Sequence, residues 1–123
     1  MRTISVVIVI LLSLAAVRVC AGDLSEAAKI QYLLASVEAL EGATFIRNGS
    51  EHEARAAADH LRLKLKAAGN KVKTAEDFIK FCASRSSITN DPYLIRLTDG
   101  TTVKSEVFFR NKLRTFAGEK PQT

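Results

Sequence analysis

The stretch from Glu53 to Lys64 holds the densest set of residues able to do chemistry. At about 100° per residue in a helix, Glu53, His60 and Lys64 fall along one shoulder of an apolar stripe, with Ala57 between them. A histidine so placed titrates near neutral pH and could serve as acid, base or ligand. The plainer expectation is an amphipathic shoulder whose long side chains cover apolar surface and reach water. Just upstream, Arg47-Asn48-Gly49 precedes a helix start, where free N–H groups beside an arginine would attract a carboxylate or a phosphate. The competing expectation there is a simple turn followed by a cap. Ser86-Ser87, in a later polar loop, adds two hydroxyls. The candidate ligand-binding set is therefore Arg47, Asn48, Glu53, His60, Lys64, Ser86 and Ser87.

Complete reactive constellations are missing from the sequence. His52 and His60 stand eight positions apart, about 80° around a helix, and neither an HExxH motif nor a cysteine pair accompanies them, so no metal and no cofactor are expected. A serine hydrolase would need Ser86 or Ser87 beside His60 and a carboxylate, yet no Gly-x-Ser-x-Gly elbow is present. Serine pairs in loops more often make turns. Cys82, between Phe78, Ile79 and Phe81, reads as a small core residue; its alternative is a reactive or intermolecular thiol. Arg55, Asp59 and Arg62 are spaced for ordinary helix-surface ion pairs.

The elements that would position these residues can be read from periodicity. A first helix is expected from Leu24 to Glu41, capped by Asp23 with Glu26. It buries Ile30, Leu33, Leu34, Val37 and Leu40, and leaves Tyr32, Glu38 and Glu41 to solvent. A short extended piece, Phe45 to Gly49, ends in an Asn-Gly turn. Ser50 with Glu53 reads as a capping box opening a second helix, which buries Ala54, Ala57, Ala58, Leu61, Leu65 and Ala68 and stops at Gly69-Asn70. Thr74 caps a third helix to about Ser84. Tyr93 to Leu97 and Thr101 to Val103, around Asp99-Gly100, form a hairpin. Ser105 then caps a last helix carrying Val107, Phe108, Phe109, Leu113 and Phe116. The expected fold is mainly α, with three to four helices and one small β-hairpin before the last helix.

The N-terminus reads as an export signal. Ile4 to Val17 is a 14-residue run, apolar apart from Ser5 and Ser13. That is the length of a signal-peptide core and short of the roughly 20 residues of a membrane span. Val19-Cys20-Ala21 suits cleavage after Ala21, whereas Val17-Arg18-Val19 fits badly the small-residue site that lipidation of Cys20 would need. The expected layout is a cleaved signal at 1–21, one helical domain at 22–117 and a polar tail at 118–123. Cleavage removes Arg2 and Arg18, so the net charge falls by two, from +5 to +3, and leaves 102 residues. That mild bias is short of the dense basic cluster that nucleic acid requires. Cys82 is then the lone cysteine, so stability rests on packing rather than on an internal disulfide.

Phe45-Ile46-Arg47-Asn48-Gly49, Glu51-His52, His60-Leu61-Arg62-Leu63-Lys64-Leu65, Thr74-Ala75-Glu76-Asp77-Phe78-Ile79, Ser86-Ser87-Ile88-Thr89 and Pro92-Tyr93 occur in this order. The chain thereby resembles the YfeK-like family of small exported Gram-negative proteins, a domain of unknown function. The resemblance runs from about Phe45 to Leu97. It implies a periplasmic location and supplies no activity. Cys82 falls outside the pattern, and Asn90-Asp91 stands where the family has a glycine turn. The functional expectation is a non-catalytic periplasmic binding or accessory module, whose groove is edged by Arg47, His60, Lys64 and the Ser86-Ser87 loop. Its partner would be an envelope protein or a small anionic ligand. A hydrolase using His60 with Ser86 or Ser87, and a homodimer packed on Ala54-Ala57-Ala58, are the alternatives.

Overall fold

Ser25 opens the first helix, its hydroxyl accepting the N–H of Ala28 at 3.1 Å, in a computed structural model that describes residues 25–116. The signal sequence, the polar tail and the cap expected at Asp23 lie outside the described residues. α1 (Glu26–Glu38) buries Ile30, Leu33, Leu34 and Val37, as the three- and four-residue spacing requires. It ends three residues sooner than Glu41. Tyr32 is not left to solvent: its ring stacks on Phe116, centroids 4.3 Å apart, and packs against the core. A side chain beside the stripe is covered once a later helix crosses it.

The main revision concerns the strands. Ser50 does not cap a helix. It begins β2 (Ser50–His52), which pairs with β1 (Thr44–Arg47) across the Asn48-Gly49 turn. Both turn residues have positive φ, 53° and 81°, the geometry of the two-residue hairpin loop that Asn-Gly favours. β1 also pairs with β3 (Leu94–Arg96), and β3 with β4 (Thr102–Lys104), so the single expected hairpin is half of a four-stranded antiparallel sheet, ordered β2-β1-β3-β4. Phe45 is register-paired with both His52 and Ile95, and Ile95 with Val103. These four residues make one row across the sheet; Phe45 and Ile95 are buried, and Val103 packs against the same core. Because side chains alternate along a strand, Arg47 and Tyr93 share that face. Gly42, at φ 85°, carries the chain from α1 into β1, where a Cβ would come within 2.9 Å of Thr98.

α2 (Ala54–Ala68) starts after Glu53, which occupies the cap position without a side-chain cap hydrogen bond. Ala54, Ala57, Ala58 and Leu61 are buried, and α2 packs on α1. The alanine stripe considered for a homodimer is thus consumed inside the chain. A 3-10 turn (Gly69–Lys71) leads to Thr74, whose reciprocal bonds with Asp77 cap α3 (Ala75–Phe78). Glu26 also reaches across from α1 to accept the N–H of Ala75 at 2.8 Å. α3 runs directly into a π-helical segment (Ile79–Ala83), a wider turn than the α-helix expected to Ser84. Widening redistributes the side chains: Phe78, Ile79, Cys82 and Ala83 are buried, while Phe81, expected in the core, is 41% exposed. α4 (Ser105–Phe116) closes the core through Phe109, edge-to-face with Phe78 at 6.1 Å. Val107, read as a core position, is half exposed. Among the described residues the fold is mainly helical, four α-helices with a small antiparallel sheet whose last strand precedes the last helix.

Candidate functional site

Tyr93, absent from the candidate ligand-binding set, is the centre on which His60 and Lys64 converge. Its N–H donates to the carbonyl of Ser84 at 3.0 Å and its carbonyl accepts the N–H of Ser105 at 2.9 Å, so its backbone is held from both sides. Its ring is buried, and its hydroxyl meets two side chains one turn apart on α2. Lys64 Nζ donates to Tyr93 Oη at 3.0 Å, and His60 Nε2 lies 3.4 Å from the same oxygen. Lys64 also donates to the carbonyl of Arg85 at 3.0 Å and sits 4.9 Å from the Tyr93 ring centroid. An ammonium has three N–H donors, so these two bonds orient Lys64 and leave the third for a ligand.

The electrostatics around His60 run one way. Burial lowers its pKa first, and the positive charges of Arg47, Lys64 and His52 lower it further. The neutral imidazole is therefore favoured, and in its Nδ1-protonated tautomer His60 can accept a hydrogen bond at Nε2 from the Tyr93 hydroxyl. Among the described residues, His52 Nε2 is buried without a hydrogen-bond partner. This is a cation-rich corner in which a histidine avoids adding charge.

Ser86 has a structural task. It is 4% exposed, and its Oγ accepts from Asn48 Nδ2 at 3.2 Å and from the N–H groups of Ile88 and Thr89 at 3.1 Å each. Thr89 Oγ1 completes the clasp by donating to Asn48 Oδ1 at 2.7 Å. The β1–β2 turn and the loop after the π-helical segment are thereby tied together. Asn90 takes φ 67°, a left-handed conformation that asparagine tolerates better than most residues with a side chain. His60 meets Tyr93, and the oxygen of Ser86 already accepts from three donors, which assigns that serine a structural task. Cys82 is buried, and burial raises its thiol pKa.

Two concavities border this cluster. The first is a cavity of about 30 Å³ between α2 and the sheet, lined by Arg47, His60 and Tyr93 together with apolar groups such as Phe45, Leu61 and Phe109. That is room for a water molecule or two rather than a metabolite. The second is an open groove of about 590 Å³ on the other side of Lys64, reached by Arg85, Ser86 and Ser87. Arg47 and His60 thus belong to one hollow, and Lys64, Ser86 and Ser87 to the other. Asn48 joins them as part of the clasp. Glu53 stands apart, exposed beside Glu38, Glu41 and Arg55 on a different surface. Among the described residues, no group of three or more His, Cys, Asp or Glu side chains is placed to hold a metal ion. No helix there is long and apolar enough to cross a membrane.

Fold and site together define a small, mainly helical domain with a basic cluster organised on a buried tyrosine. The chain belongs to the family of unknown function DUF5329, which it matches over residues 24–117. It is 46% identical over 68 residues to the uncharacterized protein YfeK of Salmonella typhimurium, an alignment covering 55% of this chain and 57% of that protein. The chain therefore spans a little over half the length of this relative. The YfeK-like resemblance read from the sequence is borne out. No solved structure matches.

Proposed function

We propose that this protein is a non-catalytic binding or accessory module of the periplasm, which engages an anionic group of its ligand or envelope partner at the groove beside Lys64. One observation carries the reading: Lys64 is fixed by Tyr93 Oη and the Arg85 carbonyl at the mouth of a groove with no carboxylate among its described lining residues. A pre-oriented ammonium with a spare donor suits recognition of an anion better than proton transfer. The cavity beside His60 is too small to enclose a substrate, which favours contact across a surface. The periplasmic location is supported by the Ile4–Val17 apolar run and the Val19-Cys20-Ala21 cleavage pattern.

The test is site-specific photo-crosslinking in living cells. A photoreactive residue at Ser87 or Ala67, in the groove, is expected to yield a discrete adduct, whereas one at Arg55 on the opposite side of α2 yields none. Lys64→Ala should abolish the groove adduct. No adduct at either groove position, or adducts equal to those at Arg55, would refute the module. Fractionation with intact-mass measurement checks the location: the expected product starts at Gly22 in the periplasmic fraction, and a cytosolic product retaining Met1 overturns it.

A further inference from the structure

We infer that the groove receives an acidic, extended segment of a partner polypeptide, gripped by Lys71 and Lys80 beside the Phe81 ring; this rests on the binding-module reading and adds the partner's chemistry. Three elements build the grip. Lys71 ends the 3-10 turn after α2, Lys80 and Phe81 lie on the π-helical segment, and Arg85 follows it. The wider π turn is what brings Phe81 out of the core, 41% exposed, with Lys71 Nζ 5.8 Å and Lys80 Nζ 5.3 Å from its centroid. An aromatic ring within cation–π reach of both ammonium groups steadies the two lysines and offers an apolar shelf beside them.

Basic side chains gather here without carboxylates among them, while several basic residues elsewhere are paired. Lys29, Arg62, Arg96 and Arg110 are each matched to a carboxylate. Lys64, Lys71, Lys80 and Arg85 all line the groove, and none of its described lining residues is acidic. Arg85 has only a loose contact with Glu106 at 3.9 Å. The three lysines form no salt bridge among the described residues, although Lys80 acts at longer range on Asp77. Such a field attracts a polyanion, and its complement is a run of carboxylates. The surface is concave, which admits a polypeptide chain and keeps the lysines from lying flat on a bilayer. Ser87 and Asn90 along the rim can hydrogen-bond a peptide backbone, while Phe81 takes an apolar side chain between the acidic ones.

The test uses the chain beginning at Gly22 and a fluorescein-labelled peptide of glutamates interrupted by one phenylalanine, followed by anisotropy at low and physiological salt. Saturable binding that weakens with salt is expected. Lys71→Glu with Lys80→Glu should weaken it about tenfold or more, since two attractions become repulsions. Phe81→Ser should weaken it less, and Lys104→Glu, on β4 outside the groove, not at all. All substituted positions are exposed, and circular dichroism confirms that each variant is folded. Equal binding by the double reversal, no binding at low salt, or preference for phosphatidylglycerol vesicles over the peptide would overturn the inference. If crosslinks at Ser87 or Ala67 persist while the peptide fails to bind, the partner chemistry falls and the module stands. If the crosslinks fail as well, both fall.

Discussion

Replacing Ser86 by alanine separates a clasp from a nucleophile. Its oxygen accepts three donors at 3.1–3.2 Å and is almost fully buried. A net intramolecular hydrogen bond contributes about 1 kcal/mol, which sets an upper figure of about 3 kcal/mol for three. Ile88, Thr89 and Asn48 are all exposed residues, so water recovers part of each lost bond. The expected loss for Ser86→Ala is therefore about 1.5–2 kcal/mol, or roughly 10 °C in melting temperature for a domain of this size. Asn48→Gly is the natural partner, because glycine keeps the positive φ and deletes only the amide. Alone it should cost about 1 kcal/mol, and the double variant should show a coupling of about 0.5–1 kcal/mol with Ser86→Ala. Urea unfolding followed by circular dichroism measures all three. A Ser86→Ala variant within about 0.5 kcal/mol of the parent would refute the clasp, since a serine held ready for chemistry contributes little to stability.

Three further outcomes are expected. NMR titration of His60 should give a midpoint below the ordinary histidine value of about 6.5, because burial and then Arg47, Lys64 and His52 disfavour its protonation. The stability it contributes is complete above that value and lost as pH falls toward the folded midpoint, so His60→Gln should flatten the decline and Lys64→Met should raise the midpoint; a midpoint above 6.5 contradicts this. Glu26→Gln should cost about 1 kcal/mol at neutral pH by weakening the tie to Ala75. The bond to Ala75 and then the one to Lys29 lower the Glu26 pKa, so its stabilisation is present above the ordinary carboxylate range, and the difference in urea stability should vanish as pH falls through its folded value. Cys82, 1% exposed with its pKa raised by burial, should react with a thiol reagent only as fast as the chain unfolds. Prompt labelling in native buffer would revive the reactive-thiol alternative.

What could be read from the sequence was what is decided locally. The α1 stripe, the Thr74 cap and the Asp99-Gly100 hairpin each depend on residues within a few positions of one another, and each is where it was expected. Ser50 misled because Ser-x-x-Glu before an alanine-rich run carries the chemistry of a cap. What places Ser50 in a strand is the two-residue Asn-Gly turn and the pairing of β1 with β3, a partner far along the chain. That same shift moved Glu53 to the end of α2 and off the shoulder where helical spacing had put it. His60 and Lys64 kept their relationship because both lie well inside the helix. Phe81 was misplaced because the i, i+3, i+4 pattern assumes an α turn, and the π-helical segment breaks it. Tyr93 had no local signal at all: its importance comes from backbone bonds to Ser84 and Ser105 and from two side chains on α2.

The arrangement around Tyr93 also explains how a basic groove and a histidine can coexist beside one core. A charged His60 would meet Arg47, Lys64 and His52 with no carboxylate lining the adjoining cavity, in a partly buried position where like charges repel strongly. Keeping His60 neutral relieves that repulsion and, in the Nδ1-protonated tautomer, lets Nε2 accept from the Tyr93 hydroxyl, whose oxygen in turn receives Lys64. His60 and Lys64 thus meet on one Tyr93 oxygen, and the lowered His60 pKa works against a further positive charge beside Lys64. Attraction for an anion then comes from the lysines and Arg85. Screening by salt, rather than protonation of His60, should dominate the variation of binding around neutral pH. A binding curve that tracks the His60 titration and ignores ionic strength would place the ligand at the imidazole instead.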